Sequence, residues 1–415
     1  MIINFICREG KALQNFSLHK MEQEVFAGTY IPWKETMDIL KEKKENITKK
    51  DQFFMQYALS IAQCGRGGVN PNPLVGAVIV RNGEIVAKGY HEKCGKGHAE
   101  VNAFLDAKER GVDVKGADMY ITLEPCSHYG KTPPCADRII EEGIGRVIIA
   151  MKDPNPQVAG RGIKKLQQAG ISVTVPIMEE EARKLNEVFL KYITKKEPFI
   201  LLKMAMSLDG KIATKTGKSQ WISSEKARKQ VHYLRNNYMA VMTGIGTVLA
   251  DDPMLNCRWE GAIRQPIRII ADSHLRIGIE SKLVKTAKEY RTIVVHLPQR
   301  EKTEKMELLC AAGIELLEVP EKNGHIDLKF LVKQLGSMGI DGILLEGGSD
   351  FAFAALQAKI IDKVRIYIAP KIIGGANALS CIRGEGFAEL SDVITLQDMK
   401  AYPCGEDIYL EGLVK

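Results

Sequence analysis

His98, Cys126 and Cys135 constrain this chain more than any other three residues. One imidazole and two thiols are donors that a zinc ion takes, and they serve a single ion only if the fold brings three separated segments to one point. The number of donors matters as much as their identity. Structural zinc sites usually carry four protein ligands, whereas three leave a position open for water. His91 and Cys94 are near enough in sequence to offer a fourth donor, Cys94 being the more serious candidate, which would turn the site into a structural staple. Glu100 argues for the open site. Placed two residues after His98, it is spaced to carry protons to and from a metal-bound water.

The pattern His-x-Glu followed by Pro125-Cys126 is the signature of zinc deaminases, which replace a ring amino group with oxygen. That signature usually closes as P-C-x-x-C. Here the eight residues Ser127 to Pro134 separate the two cysteines. Pro133 and Pro134 stiffen the insert, and His128 and Lys131 are candidate anion contacts. A cationic loop beside the metal suits a phosphorylated nucleotide-like substrate better than a bare base.

At 415 residues the chain is long enough for two or three domains, each with its own core. Apolar residues make up 45% and charged residues 26%, the balance of an ordinary soluble globular protein. No apolar run approaches the roughly 18 residues of a transmembrane helix. Met1 to Cys7 is too short for a signal-peptide core and lacks a basic leader. Nine scattered cysteines, two of them claimed by the metal, read as reduced thiols of a cytoplasmic protein. The net charge of +7 fits either a plain basic surface or an enzyme whose ligands carry phosphate. A nucleic-acid binder would cluster its Lys and Arg among aromatics; here the basic residues are dispersed and aromatics are only 7%.

Residues 1–50 stand apart. Glu35 to Lys50 is dense in Lys and Glu and reads as a solvated helix or a loose tail. From Asp51 the pattern changes: Phe53 to Gln63 reads as a helix, with Phe54, Ala58, Leu59 and Ala62 on one stripe, and Gly65, Gly67 and Gly68 close it. Val75 to Val80 reads as a buried strand, with Asn82-Gly83 turning it into Ile85 to Ala87. A helix is expected over His98 to Arg110, with His98 and Glu100 in its first turn, where the positive helix end favours a charged carboxylate. Strands at Met119–Leu123 and Arg146–Met151 flank a helix, Pro133–Glu142, that carries Cys135. The alternation predicts a layered α/β domain ending near Val175. Glu179 to Thr194 reads as a helical connector. A second α/β domain follows Pro198, with strands at Phe199–Met206, Tyr238–Thr243, Pro266–Ala271, Thr292–His296, Gly342–Leu345 and Lys363–Ala369.

Two glycine turns mark this second half. Glu346-Gly347-Gly348-Ser349 follows one strand and opens an apolar helix near Phe351, and Thr243-Gly244-Ile245-Gly246-Thr247 follows another. Such turns are either plain chain reversals or anion cradles in which backbone amides approach a phosphate. Two in one domain favour a dinucleotide. Neither is G-x-G-x-x-G with an acidic residue about 20 positions on, which disfavours a Rossmann fold.

Several further motifs add up to a specific pattern. Asn70-Pro71-Asn72-Pro73 before Val75-Gly76, His98-Ala99-Glu100, Thr122 to His128 and Lys131 to Cys135 belong to it. So do Asp153 to Pro156, Ser207 to Gly210, Ser219 to Ile222, Asp251-Asp252-Pro253 and Ala369-Pro370-Lys371. Over about residues 51 to 415 the chain resembles the bifunctional riboflavin-biosynthesis deaminase/reductase family, and the long Cys126–Cys135 spacing is that family's form of the motif.

The resemblance implies an α/β protein of two domains. Residues 1–50 are an extension of unknown role. Residues 51–178 form a cytidine-deaminase-like three-layer α/β domain, the zinc-dependent deaminase, and 179–197 a helical linker. Residues 198–415 form a dihydrofolate-reductase-like α/β domain, the NADPH-dependent reductase. The implied chemistry is hydrolytic deamination of 2,5-diamino-6-ribosylamino-4(3H)-pyrimidinone 5′-phosphate. Reduction of the ribosyl group by NADPH follows and gives 5-amino-6-ribitylamino-uracil 5′-phosphate. One zinc ion is held by His98, Cys126 and Cys135, and Glu100 is the proton carrier. Asn72 reads the substrate, unless it is only a turn residue, with His128 and Lys131 beside it. On the reductase side the cofactor residues are Ala205, Trp221, Thr247, Asp251, Ser273 and the run Gly348, Ser349, Asp350, Phe351, Ala352, Phe353 and Ala354. Ser219, Arg235, Leu255, Arg258 and Glu346 face the substrate, the arginines suiting its 5′-phosphate. Lys203 either donates a proton to the sugar oxygen or is a half-buried lysine paired with a carboxylate. Trp221 could equally be a core aromatic, and the residues alone do not separate NADPH from NADH. The expected partner is a small phosphorylated pyrimidine, with no nucleic acid and no membrane; homo-oligomerisation stays open.

Overall fold

The computed structural model describes residues 47–127, 133–155, 159–301 and 303–415. His128, Lys131 and residues 1–46 of the extension lie outside them. The chain divides into two compact units between Thr194 and Lys195.

The first unit is built on a five-stranded sheet. Its strands are β1 (Gly76–Arg81), β2 (Glu84–Tyr90), β3 (Asp118–Ile121), β4 (Arg146–Ile149) and β5 (Ser172–Thr174), in the order β2-β1-β3-β4-β5. β1 pairs antiparallel with β2 and β3, and β3, β4 and β5 run parallel. Asn82 and Gly83 both take positive φ, 54° and 81°, as the tight hairpin turn requires. Side chains alternate between two cores. Ile79, Met119, Ile121, Val147 and Ile149 face one side, where the helices Ala99–Glu109, Cys135–Glu141 and Arg161–Gln168 pack. Val78, Val80, Tyr120 and Ile148 face the other, against Phe54, Met55, Ala58 and Leu59 of the helix Ile47–Ala62. Period-two strands buried on both faces make this a three-layer unit.

The helix Ile47–Ala62 begins before the expected start at Phe53. The segment expected to be one connecting helix is two, Glu179–Leu185 and Glu187–Lys195. Asn186 parts them because its buried side chain bonds the backbone of Leu74 twice, accepting from the N–H at 2.8 Å and donating to the carbonyl at 3.0 Å. Ala182, Leu185, Phe189 and Leu190 join the core of the first unit.

The second unit carries a nine-stranded sheet of β6 (Phe199–Ser207), β7 (Ala240–Gly244), β8 (Ile267–Ala271), β9 (Thr292–His296), β10 (Ile314–Glu318), β13 (Gly342–Glu346), β14 (Lys363–Ala369), β15 (Leu396–Cys404) and β16 (Asp407–Val414). A small hairpin, β11 (Glu321–Lys322) with β12 (His325–Ile326), stands apart from it. The order is β10-β9-β8-β7-β13-β6-β14-β16-β15. The first seven run parallel, and the last two add antiparallel at one edge. β13 returns late in the chain and inserts between β6 and β7. The carboxyl ends of three central strands therefore lie side by side where the strand order reverses, the place where open α/β sheets bind ligands.

Among the described residues no helix is long and apolar enough to cross a membrane. Seven cysteines there carry free thiols. Cys64 is disulfide-bonded, which departs from the expectation of reduced thiols throughout.

Candidate functional site

His98 caps the helix Ala99–Glu109 from an extended conformation. That helix can lie tight on β2 because Gly89 has no side chain: a Cβ there would sit 2.3 Å from the Ala103 nitrogen. Cys126 comes from the loop after β3, and Cys135 opens the helix Cys135–Glu141. The His98 Nδ1 lies 3.6 Å from the Cys126 sulfur and 3.3 Å from the Cys135 sulfur, and all three donor atoms fall within 4.8 Å of one another. A tetrahedral zinc with Zn–S near 2.3 Å and Zn–N near 2.0 Å separates its ligands by roughly 3.5–3.8 Å, so the donor set fits that ion. Hydrogen bonds from Cys135 and His98 hold the Cys126 thiol well below its ordinary pKa, which favours the thiolate that a metal requires.

Among the described residues no fourth donor joins the cluster. Cys94 is exposed. His91 is buried, and both its nitrogens are committed: Nδ1 to the Gly97 carbonyl at 3.0 Å and Nε2 to the Asn72 amide nitrogen at 3.1 Å. A carbonyl can only accept, so the ring proton sits on Nδ1 and Nε2 accepts from Asn72. Burial lowers the His91 pKa and keeps that neutral form. The Asn72 amide is thus held by a ring that packs edge-on to His98 at 5.5 Å.

Glu100 lies in the first turn, only 3% exposed, and its carboxyl is pushed up chiefly by burial, against the pull of His98. Glu124, inside the run Thr122 to His128, has no role of its own that the sequence assigns. It too is buried, and its two oxygens accept four backbone N–H bonds, from Asp153 at 3.2 Å, Gly160 at 3.0 Å, Gly162 at 3.0 Å and Ile163 at 3.3 Å. This carboxylate therefore caps the helix Arg161–Gln168 and anchors the strand end that leads through Pro125 to Cys126. The only signal for it was its place beside the metal motif.

In the second unit the two glycine turns meet. Gly348 caps the helix Ser349–Gln357, and its N–H donates to Thr247 Oγ1 at 2.8 Å, in the helix that Gly244 caps. Gly347 has φ +139°, and a Cβ there would come within 2.3 Å of Thr243 Oγ1, so only glycine fits. Ala352 and Phe353 turn their side chains into the interior, and Asp350 is forked by Arg383 at 2.8 and 2.6 Å. What this helix offers a ligand is its first-turn amides rather than those side chains.

Lys203 on β6 and Glu346 on β13 are register partners. The Lys203 Nζ is 3.2 Å from Glu346 Oε2, and Arg235 forks the same carboxylate at 2.6 and 3.1 Å. Burial would raise the Glu346 pKa, but Arg235 and then Lys203 outweigh it and hold it at about 2. The carboxylate pairing expected as one role of Lys203 is present. Arg235 is largely committed to Glu346, whereas Arg258 is exposed, with Nη1 on Asn256 Oδ1 at 3.0 Å.

Other expected residues are spread along the connecting segments. Trp221 is 63% exposed under the Arg228 guanidinium, 4.5 Å from the ring centre, so it is no core aromatic. Ser219 shares its loop between β6 and the helix Glu225–Asn237, and Lys371 donates to the Trp221 and Ile222 carbonyls at 2.8 Å. Ala205 lies on β6, Asp251 ends the helix that carries Thr247, and Ser273 follows β8. Leu255 is buried with φ +50°.

Two family descriptions match the chain: "RibD C-terminal domain" over residues 198–410 and "Cytidine and deoxycytidylate deaminase zinc-binding region" over 48–151. The "Riboflavin biosynthesis protein RibD" of Actinobacillus pleuropneumoniae is 48% identical over 88% of this chain and 96% of its own. That of Escherichia coli is 42% identical over 87% and 98%. Among solved structures, Acinetobacter baumannii RibD superposes with TM-score 0.78 at 36% identity, covering 88% of this chain and 99% of that one. A diaminohydroxyphosphoribosylaminopyrimidine deaminase/5-amino-6-(5-phosphoribosylamino)uracil reductase from Thermotoga maritima gives the same figures.

Proposed function

Because the chain belongs to the bifunctional riboflavin-biosynthesis deaminase/reductase family, we propose that its two units catalyse successive steps on one phosphorylated pyrimidine. The first hydrolytically deaminates 2,5-diamino-6-ribosylamino-4(3H)-pyrimidinone 5′-phosphate. The second reduces the ribosyl group of the product with NADPH. The observation that carries this reading is the convergence of His98, Cys126 and Cys135 beside buried Glu100, with no fourth donor among the described residues.

His98 Nδ1 and the two thiolates would hold the zinc. When bound, the metal supplies Lewis acidity and a nucleophilic water at neutral pH. Glu100 takes a proton from the attacking water and returns it to the departing amino group. Its raised pKa suits a group that must do both. Asn72, oriented by His91, offers its amide to the pyrimidine edge. His128 and Lys131 are assigned to the substrate on the strength of the motif alone.

When bound in the reductase unit, NADPH would supply the hydride for C1′ of the opened sugar. The amides that open the helix Ser349–Gln357 would hold the cofactor's phosphates, with Thr247 bonded to Gly348 beside them. We assign Ala205, Trp221, Asp251 and Ser273 to the same ligand, and Ser219, Arg235, Leu255, Arg258 and Glu346 to the substrate. Lys203, placed beside Glu346 at 3.2 Å, is assigned as the donor of a proton to the sugar oxygen. We place the deaminase in residues 51–178 and the reductase in 198–415, with 179–197 as linker and no active-site role for 1–50. The cytoplasm, where phosphorylated metabolites and NADPH are held, is the proposed location.

The test is NADPH absorbance with the diaminopyrimidinone phosphate, with and without a chelator of zinc. Oxidation should be lost with the chelator and restored by supplying the deaminated compound. Chelator-insensitive turnover of the diamino substrate would overturn the scheme.

A further inference from the structure

The helix Glu225–Asn237 sends two side chains to a single loop. Arg235 donates Nη1 to the Asn256 carbonyl at 3.0 Å. His232, one turn earlier, accepts the backbone N–H of Arg258 at Nδ1, 3.2 Å away. The Cys257 thiol adds a third tie by donating to the His232 carbonyl at 3.2 Å. Residues 256–258 are thereby strapped to the helix at three points.

The His232 contact has a chemical condition. A ring nitrogen accepts an N–H only with its lone pair free, so the imidazole must be neutral with its proton on Nε2. The surroundings enforce that state. Burial first, then the Arg235 and Arg258 guanidiniums, lower the imidazole to about 4 against the opposing pulls of Glu346 and the Asn256 backbone.

The loop matters because of how the two arginines are engaged. Arg235 spends Nε and Nη2 on Glu346 and Nη1 on Asn256. Arg258 is exposed, and among the described residues its guanidinium hydrogen-bonds its own loop, Nη1 to Asn256 Oδ1. It is the guanidinium with donors left for an incoming phosphate, and its aim is set by its backbone.

We propose that His232 is a positioning residue of the reductase unit: as a neutral hydrogen-bond acceptor it fixes the Arg258 backbone and so aims the Arg258 guanidinium at the 5′-phosphate of the substrate. This rests on the assignment of Arg258 to the substrate. A misplaced guanidinium weakens binding in the ground state and transition state alike, which raises KM and leaves kcat in place.

The experiment is steady-state kinetics of NADPH oxidation by the full chain with the deaminated intermediate. His232→Phe, which fills the space without accepting, should raise KM roughly tenfold with kcat within about twofold. His232→Asn, which puts an acceptor near the Nδ1 position, should keep KM within about threefold. Arg258→Ala should raise KM by itself, and adding His232→Phe to it should raise KM no further. An unchanged KM in His232→Phe, or a KM in His232→Asn as high as in His232→Phe, would overturn the positioning role while Arg258→Ala still marked the phosphate ligand. An unchanged KM in Arg258→Ala would instead overturn the assignment on which it rests.

Discussion

Lys203 and Glu346 face each other across two neighbouring parallel strands, ammonium to carboxylate at 3.2 Å, and Arg235 closes the other side of the same carboxylate. Arg235 and Lys203 together hold this buried carboxylate ionised. In the proposed reduction Lys203 is the group that gives a proton to the sugar oxygen.

Lys203→Met should therefore lower kcat for reduction of the deaminated intermediate by about 10²–10⁴, the range for a general acid. Deamination by the same protein should be untouched. A kcat within twofold of the parent would reduce Lys203 to a structural partner of Glu346.

The same triad makes stability depend on pH. Glu346 is depressed to about 2 in the folded unit against 4.5 as its ordinary value. A depressed carboxylate stabilises above its unfolded pKa, and that stabilisation is lost as pH falls through the folded value. Denaturant unfolding of the second unit should show stability falling as pH drops from 4.5 to 2. Glu346→Gln should flatten that slope. A parent profile flat across the window would contradict the pairing.

In the first unit, Glu100→Gln should retain zinc and lose deamination by at least about 10². The amide keeps the shape and cannot cycle a proton. Metal content measured beside activity decides the matter: if zinc leaves together with activity, Glu100 is structural.

Glu124→Gln reverses the polarity of one of the two oxygens that receive backbone amides. Buried donors would then face a donor, at a cost of about 3 kcal/mol or more. The first unit should melt earlier and release zinc faster at temperatures where reduction by the second unit is unimpaired. Zinc release at the parent rate would remove Glu124 from the support of Cys126.

The metal triad was legible in the sequence because its chemistry resides in residue types, and the buried strands because their apolar runs are continuous. β9 and β14 fall where those runs predict them. β15 was missed for a physical reason: Leu396–Cys404 is an edge strand, exposed along most of its length, with no alternation to read. The hydrogen bonds that orient the sites were hidden for another. His91 meets Asn72 across 19 residues, Glu124 meets Ile163 across 39, and Arg235 meets Glu346 across 111. Such pairs leave no local pattern. Only the fold brings them together.

The central claim is that one chain holds two chemically independent sites, with every zinc donor before Thr194 and both glycine turns after Lys195. The most direct measurement is NADPH oxidation by Cys135→Ser, with the diamino substrate and, separately, with the deaminated intermediate. The expected result is loss of zinc and of turnover on the diamino substrate, with reduction of the supplied intermediate within a few-fold of the parent. Loss of that reduction as well, in protein that remains folded, would contradict it.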